Sequence, residues 1–289
     1  MTTREQWIAG ARPKTLPAAI APVMVGTAFA GYNIESFNAL LALLVAISLQ
    51  VGVNFANDYS DGIRGTDQHR IGPMRLVGSG VATPQAVRNA ALLSFAIASF
   101  AGLILAARTT WILLAIGAIA LAAAWTYTGG PKPYGYLGLG EISVFLFFGL
   151  VATMGTYFVQ VDSLSKEIFL VGIAMGCFAC AILVLNNLRD RGNDEAQGKR
   201  TLAVIVGDPG TRDLYRWLIF AAFAVVALLL FSSWYFLLTV ISLPLAARLV
   251  TRVRAGSEGL ELVALLAQTG RLQSIYAILI SLSALMAAR

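Results

Sequence analysis

The chain has 289 residues, of which 58% are apolar and 12% charged. Ordinary soluble domains carry about 25% charged residues, so this composition excludes a soluble globular enzyme and describes an all-α, polytopic membrane protein. The formal charge of +6 is dispersed among loops rather than gathered into one stripe, which argues against a nucleic-acid partner.

Hydropathy predicts nine spans, at 15–32, 37–57, 86–107, 111–128, 141–160, 167–188, 214–232, 234–250 and 272–288. Most are near the roughly 20 residues that cross a bilayer core. Pro17 and Pro22 predict a first span kinked or broken near its start. With the N-terminus cytoplasmic, all 21 Lys and Arg residues except Arg108, Lys166 and Arg289 lie within or beside inner segments, as the positive-inside rule requires. The polar start of the chain, with Arg4, predicts no cleavable signal peptide.

Residues 1–14 carry Trp7, Arg12 and Lys14 and read as an interfacial anchor. The alternative is that Arg12 or Lys14 reaches into a cytoplasmic cavity to bind an anion. The second span ends in Gln50, Asn54, Asn57, Asp58 and Asp61, which share roughly a 100° arc of one helix. The loop 62–85 then mixes glycines with Arg64, Asp67, His69, Arg70 and Arg75. That mixture suits a cap over a phosphate-bearing ligand, because glycines admit close backbone approach and Arg forks match phosphate oxygens. His69 is the single histidine, which removes His-based metal or triad chemistry. Thr83-Pro84 predicts the N-cap and first residue of the third span.

After span four, the Gly/Pro/Tyr-rich segment 127–141 predicts an ordered turn system. Its tyrosines serve either as an interfacial belt or as a π face for a cation formed during reaction. Cys177 and Cys180 form a lone C-x-x-C inside span six, expected to be small packing residues. That span ends in Asn186, Asp190 and Asp194, spaced i, i+4, i+8 on one helical face. Asn54-x-x-x-Asp58 thus recurs as Asn186-x-x-x-Asp190, 132 positions on. The recurrence predicts two parallel four-span pseudo-repeats, about 15–128 and 141–250, plus a ninth helix at 272–288, in a single transmembrane domain spanning 1–289. Asp208-Pro209 predicts a cap for span seven, and the Arg- and Glu-bearing loop near 248–261 a solvated boundary.

Five aspartates, Asp58, Asp61, Asp67, Asp190 and Asp194, converge on one site if spans two and six neighbour each other. Unneutralised they would repel strongly in a medium of low dielectric. Oxygen donors without His or Cys point to a hard cation such as Mg²⁺, which commonly shares its shell with substrate phosphate. Interleaved Arg and Lys point to the same ligand, a diphosphate held by metal and cations together.

Asn57-Asp58-x-x-Asp61 with Asp67, and Asp190-x-x-x-Asp194, resemble the two aspartate-rich motifs of the UbiA-type intramembrane prenyltransferases. Segments 11–18, 57–67, 127–136 and 186–190 resemble the menaquinone branch, the 1,4-dihydroxy-2-naphthoate polyprenyltransferases. Many other branches place the third acid where this chain has Gly65; here it is Asp67, as the naphthoate branch tends to have it. The resemblance implies nine helices around a central cavity, with acids at its cytoplasmic mouth and a lateral opening for an isoprenoid tail. It implies Mg²⁺-dependent transfer of a polyprenyl group from its diphosphate to 1,4-dihydroxy-2-naphthoate in the plasma membrane, with loss of CO₂. The matching motifs assign metal and diphosphate roles to Asp58, Asp61, Asp190 and Asp194, supported by Asn54, Asn57 and Asp67. Arg64, Lys132 and Lys199 are the expected cations for diphosphate oxygens, and Tyr127 or Tyr134 the expected π face. Competing readings are prenyl transfer to 4-hydroxybenzoate, homogentisate or chlorophyllide, an ion-coupled secondary transporter, and a phosphoalcohol transferase.

Overall fold

The computed structural model describes residues 2–66 and 74–288, so Asp67, His69 and Arg70 lie outside the described residues. The helices are α1 (Arg4–Ala11), α2 (Pro17–Phe29), α3 (Ser36–Arg64), α4 (Pro84–Arg108), α5 (Ile112–Thr126) and α6 (Gly140–Val161). They continue with α7 (Lys166–Ala196), α8 (Leu202–Leu229), α9 (Trp234–Arg254) and α10 (Gly259–Ala287). Among the described residues, α3, α4, α6, α7, α9 and α10 are long and apolar enough to cross a membrane, and α2 and α5 are shorter apolar helices.

α7 is the central helix. In its most apolar stretch 78% of residues are buried, against 22% for α6. Small side chains make this burial feasible: Ala174, Cys177, Ala179 and Ala181 sit in the main apolar core, Cys180 is buried beside them, and both cysteines are free thiols. α8, α10 and α6 pack around α7, α10 also lies on α2, and α3 runs along α4. Gly149 of α6 meets α7 so closely that a Cβ there would stand 2.5 Å from the Gly176 Cα. Close crossing of small residues is how helices associate in lipid, where no hydrophobic drive acts between them. The middle of α6, Phe145–Val151, winds as a π-helix, a distortion often found beside functional sites. Outward-facing Leu40, Phe100, Ile119 and Phe231 are exposed, as a lipid-facing surface requires.

Local signals explain most boundaries. Thr83 accepts from the Ala86 N–H at 3.3 Å and Pro84 opens α4, as expected. Pro17 likewise opens α2 after a 3₁₀ turn at Pro13–Thr15. Gly65 ends α3 at φ 71°, a left-handed conformation that favours glycine. Three expectations change. α10 begins at Gly259 rather than near 272, because Leu262, Leu265, Leu266 and Thr269 are buried at helical spacing; Glu261 and Arg271 hide that face from a hydropathy average. The segment before span seven is helical as well, broken at Gly207 (φ 72°, ψ 179°). Asp208, expected to cap the following helix, instead pairs with Arg212 at 2.6 Å.

Candidate active site

α3 and α7 stand on opposite walls of a cavity of about 830 Å³ whose lining comes mainly from α2 to α7. Its body is apolar, built from side chains such as Val53, Leu121, Phe147, Phe148 and Met154, and its polar end lies where α3 and α7 finish. There Asn193 Nδ2 donates to Thr66 O at 3.1 Å, joining the two helix ends. Asp61, Asp190 and Asp194 line the polar end together with Arg12, Arg75 and Lys199. Three carboxylates thus face three cations, and all three acids are buried. Buried charges persist only when paired.

The first motif is tied to its surroundings by amides. Asn54 Nδ2 donates to Ala11 O at 2.9 Å, and Gln50 Nε2 to Thr15 Oγ1 at 2.9 Å. These bonds fix the α1–α2 corner, where Arg12 has φ 54° and turns into the cavity. A non-glycine residue in that region is held there by its context. Asn57 Oδ1 accepts from Thr128 Oγ1 at 2.7 Å, tying α3 to the 127–139 loop.

Asp61 is engaged by three side chains. Lys199 Nζ reaches its Oδ1 at 3.0 Å, Arg75 approaches at 3.6 Å, and the Tyr136 hydroxyl donates to it. Lys199 also lies 4.0 Å from Asp194 Oδ1, so one ammonium spans both motifs. In the second motif, Arg189 grips both Asp190 oxygens at 2.7 Å and Asn186 Oδ1 at 2.9 Å.

Several expected site residues stand elsewhere. Asp58 does not line the cavity: its oxygens accept the Leu76 and Val77 N–H groups at 2.8 and 3.0 Å. These two bonds tie Asp58 to the Leu76–Val77 end of the cap loop and use one lone pair of each carboxylate oxygen. Arg64 donates to Thr128 O and Gly130 O and stays off the cavity wall. Lys132 is exposed and also off the wall, because the turn at 129–133 points it outward. Lys14 lies against α10 beside Pro17 and Arg271, so of the two N-terminal cations only Arg12 reaches the cavity.

Tyr127 and Tyr134 both line the cavity, with rings edge-to-face at 5.5 Å. The Tyr134 hydroxyl is held by Ala123 O and Ser143 Oγ at 2.9 and 2.8 Å, which leaves its ring face as the reactive surface. Burial raises the hydroxyl pKa of Tyr127, Tyr134 and Tyr136 above the usual phenol value, and the nearby Asp61 adds to the shift at Tyr136. Tyr136 also takes Lys199 over its ring at 4.7 Å. Sequence reasoning missed Tyr136, Asn187 and Arg189 as site residues. Asn187 and Arg189 adjoin Asn186 and Asp190, and Tyr136 lies two positions beyond Tyr134, so proximity in sequence was the available signal.

The donor set fits a hard divalent cation. Lys199 shows that one positive centre reaches both motifs, and among the described residues the lining offers carboxylate and amide oxygens without thiolate or imidazole. Among the described residues no three acids stand close enough together to form a metal site by themselves, and Mg²⁺ commonly draws much of its shell from substrate phosphate and water.

Residues 19–264 match the model of the UbiA prenyltransferase family. The 1,4-dihydroxy-2-naphthoate octaprenyltransferase of Mycobacterium tuberculosis is 46% identical, covering 97% of each chain. That of Escherichia coli is 40% identical over 86% of this chain and 85% of its own. A UbiA homolog from Archaeoglobus fulgidus bound to GPP and Mg²⁺ shares the fold, with TM-score 0.69 at 13% identity over 97% and 99% of the two chains. A UbiA homolog from Aeropyrum pernix superposes with TM-score 0.74 at 16% identity over 93% and 98%. With a family match over most of its length and relatives at such identity, this multi-pass membrane chain belongs to the UbiA prenyltransferase family.

Proposed function

We propose that the chain transfers a polyprenyl group from its diphosphate to 1,4-dihydroxy-2-naphthoate, with loss of CO₂, giving demethylmenaquinone. The observation that carries this reading is one cavity with two chemistries: carboxylates and cations at its polar end, and a body lined by aliphatic and aromatic side chains. The relatives that cover nearly the whole chain are naphthoate octaprenyltransferases, and the Archaeoglobus homolog of the same fold binds GPP and Mg²⁺.

Asp61, Asp190 and Asp194 would hold Mg²⁺, with Asn54 and Asn57 fixing the helix that carries Asp61. A bound Mg²⁺ would supply the charge neutralisation that diphosphate needs to become a good leaving group. Lys199, Arg75 and Arg12 exchange carboxylate for phosphate oxygens as substrate enters. Preorganised cations in a dry site stabilise the departing charge more than water can. The ring faces of Tyr127 and Tyr134 then shelter the allylic cation, and the loop held by Asp58 keeps water from it.

The nine helices α2 to α10 each cross the membrane, in two four-helix pseudo-repeats with α10 added, as one domain. The N-terminus and the polar end face the cytoplasm, because Lys and Arg crowd the segments on that side. The deciding assay supplies purified protein with prenyl diphosphate, Mg²⁺ and either the naphthoate or 4-hydroxybenzoate, and reads products by mass. Demethylmenaquinone with CO₂ release is the expected result. A prenylated benzoate alone would overturn the acceptor and keep the metal site. No product from either acceptor, with the protein folded, would reject both acceptors and favour the transporter reading.

A further inference from the structure

At the start of α6, just behind the cavity wall, a carboxyl group is only half satisfied. Glu141 is buried, its Oε1 accepts from Asn187 Nδ2 at 2.9 Å, and its Oε2 has no partner among the described residues. Its main chain is fixed as well, since Cys180 Sγ donates to Glu141 O at 3.0 Å. Asn187 lines the cavity from α7. With Nδ2 committed to Glu141, the Asn187 Oδ1 is the amide atom left to face the cavity, and it has no partner among the described residues. Alongside, the Tyr127 hydroxyl would stand 3.1 Å from a Cβ built on Gly140. This wall presents one oriented acceptor and one hydroxyl, apart from the Asp61–Lys199–Asp194 group.

An aromatic acceptor that enters an apolar cavity must keep its hydroxyl hydrogen-bonded or lose the energy it had in water. In 1,4-dihydroxy-2-naphthoate the 1-hydroxyl lies beside the carboxylate and bonds to it internally. The 4-hydroxyl has no such partner. We propose that Asn187 Oδ1 receives the 4-hydroxyl of the acceptor ring, that Tyr127 completes this subsite, and that the bond sets acceptor specificity. Glu141 is a positioning residue: it fixes which atom of the Asn187 amide faces the ring. The inference rests on the naphthoate reading above.

The test is acceptor binding, measured by tryptophan fluorescence quenching in detergent with Mg²⁺ and an unreactive prenyl thiodiphosphate present. The probes are 1,4-dihydroxy-2-naphthoate and 1-hydroxy-2-naphthoate, which lacks only the 4-hydroxyl. The wild type is expected to bind the second roughly tenfold more weakly, the worth of one buried hydrogen bond. Asn187→Ala is expected to bind both alike, at the weaker level. Glu141→Leu should behave as Asn187→Ala does, and Glu141→Gln, whose amide oxygen still accepts from Asn187, should recover the discrimination. Equal binding of the two probes by the wild type overturns the subsite, and that comparison needs no variant to fold. Discrimination that survives Asn187→Ala overturns the choice of residue, and discrimination that survives Glu141→Leu overturns the positioning role. A wild type that binds the prenyl analogue but neither naphthoate overturns the functional reading itself, a distinct outcome. Unchanged affinity for the prenyl analogue reports that each variant keeps its cavity.

Discussion

The two aspartate motifs look like copies in sequence, yet the structure holds them by different means. In the first, the leading acid Asp58 is bound by backbone N–H groups of its own following loop, and the trailing acid Asp61 faces the cavity. In the second, the leading acid Asp190 is gripped by its sequence neighbour Arg189, and both Asp190 and Asp194 line the cavity. The recurring Asn-x-x-x-Asp spacing therefore carries a leading carboxylate held by backbone N–H groups off the cavity wall in the first motif and one on the wall in the second. The lesson is that an acid's role follows from which donors reach it first. A long glycine-rich loop brings N–H groups to Asp58. An arginine in the preceding position brings a guanidinium to Asp190.

That contrast can be broken experimentally. The largest effect is expected from Asp61→Ala and Asp190→Ala, each lowering turnover by at least about 100-fold while the protein stays folded in membranes. Chelation of divalent metal should do the same. Near-normal turnover in either variant, measured as prenylated product, would remove that acid from the site.

Asp58→Ala should act through the loop. Charge-assisted bonds to backbone N–H groups are worth about 1.5–3 kcal/mol each, so the Leu76 and Val77 amides should exchange with solvent at least about 100-fold faster. Asp190→Ala should leave those amides unchanged. Hydrogen exchange followed by mass spectrometry separates the two, and equal protection in Asp58→Ala would remove the anchoring role.

Lys199→Met sharpens the comparison further, because this ammonium is the link between motifs. Its loss should weaken binding of prenyl diphosphate by about tenfold and tighten Mg²⁺ binding in the absence of diphosphate by a similar factor. Calorimetric titrations of each ligand check the pair of signs, and weaker binding of both would contradict the exchange of partners.

Tyr136→Phe removes one donor from Asp61 and should lower turnover only about three- to tenfold. Burial holds the Tyr136 hydroxyl above the ordinary phenol range. Its contribution to stability is therefore full below about pH 10 and lost only as pH climbs through the raised folded value. Wild type and Tyr136→Phe should show the same pH profile up to that point. The smallest effect belongs to Lys132→Ala, expected to stay within about twofold in turnover, since an exposed side chain off the cavity wall touches no substrate.

By itself the sequence determined the membrane class, the approximate position of each helix and the two polar helix ends. Those properties depend on local composition and on the 3.6-residue period, which a linear reading contains. It also marked Thr83-Pro84 and the packed cysteines, whose roles rest on nearest neighbours. The parting of Asp58 from Asp61 was decided by tertiary structure, since it depends on where Leu76 and Val77 return to α3. The same holds for Lys199, which lies 138 positions from the Asp61 it contacts, and for Glu141 and Asn187, 46 apart. Arg64 and Lys132 looked equivalent to Lys199 as cations in glycine-rich loops. Only the direction in which each loop turns placed Lys199 inside the cavity and the other two off its wall.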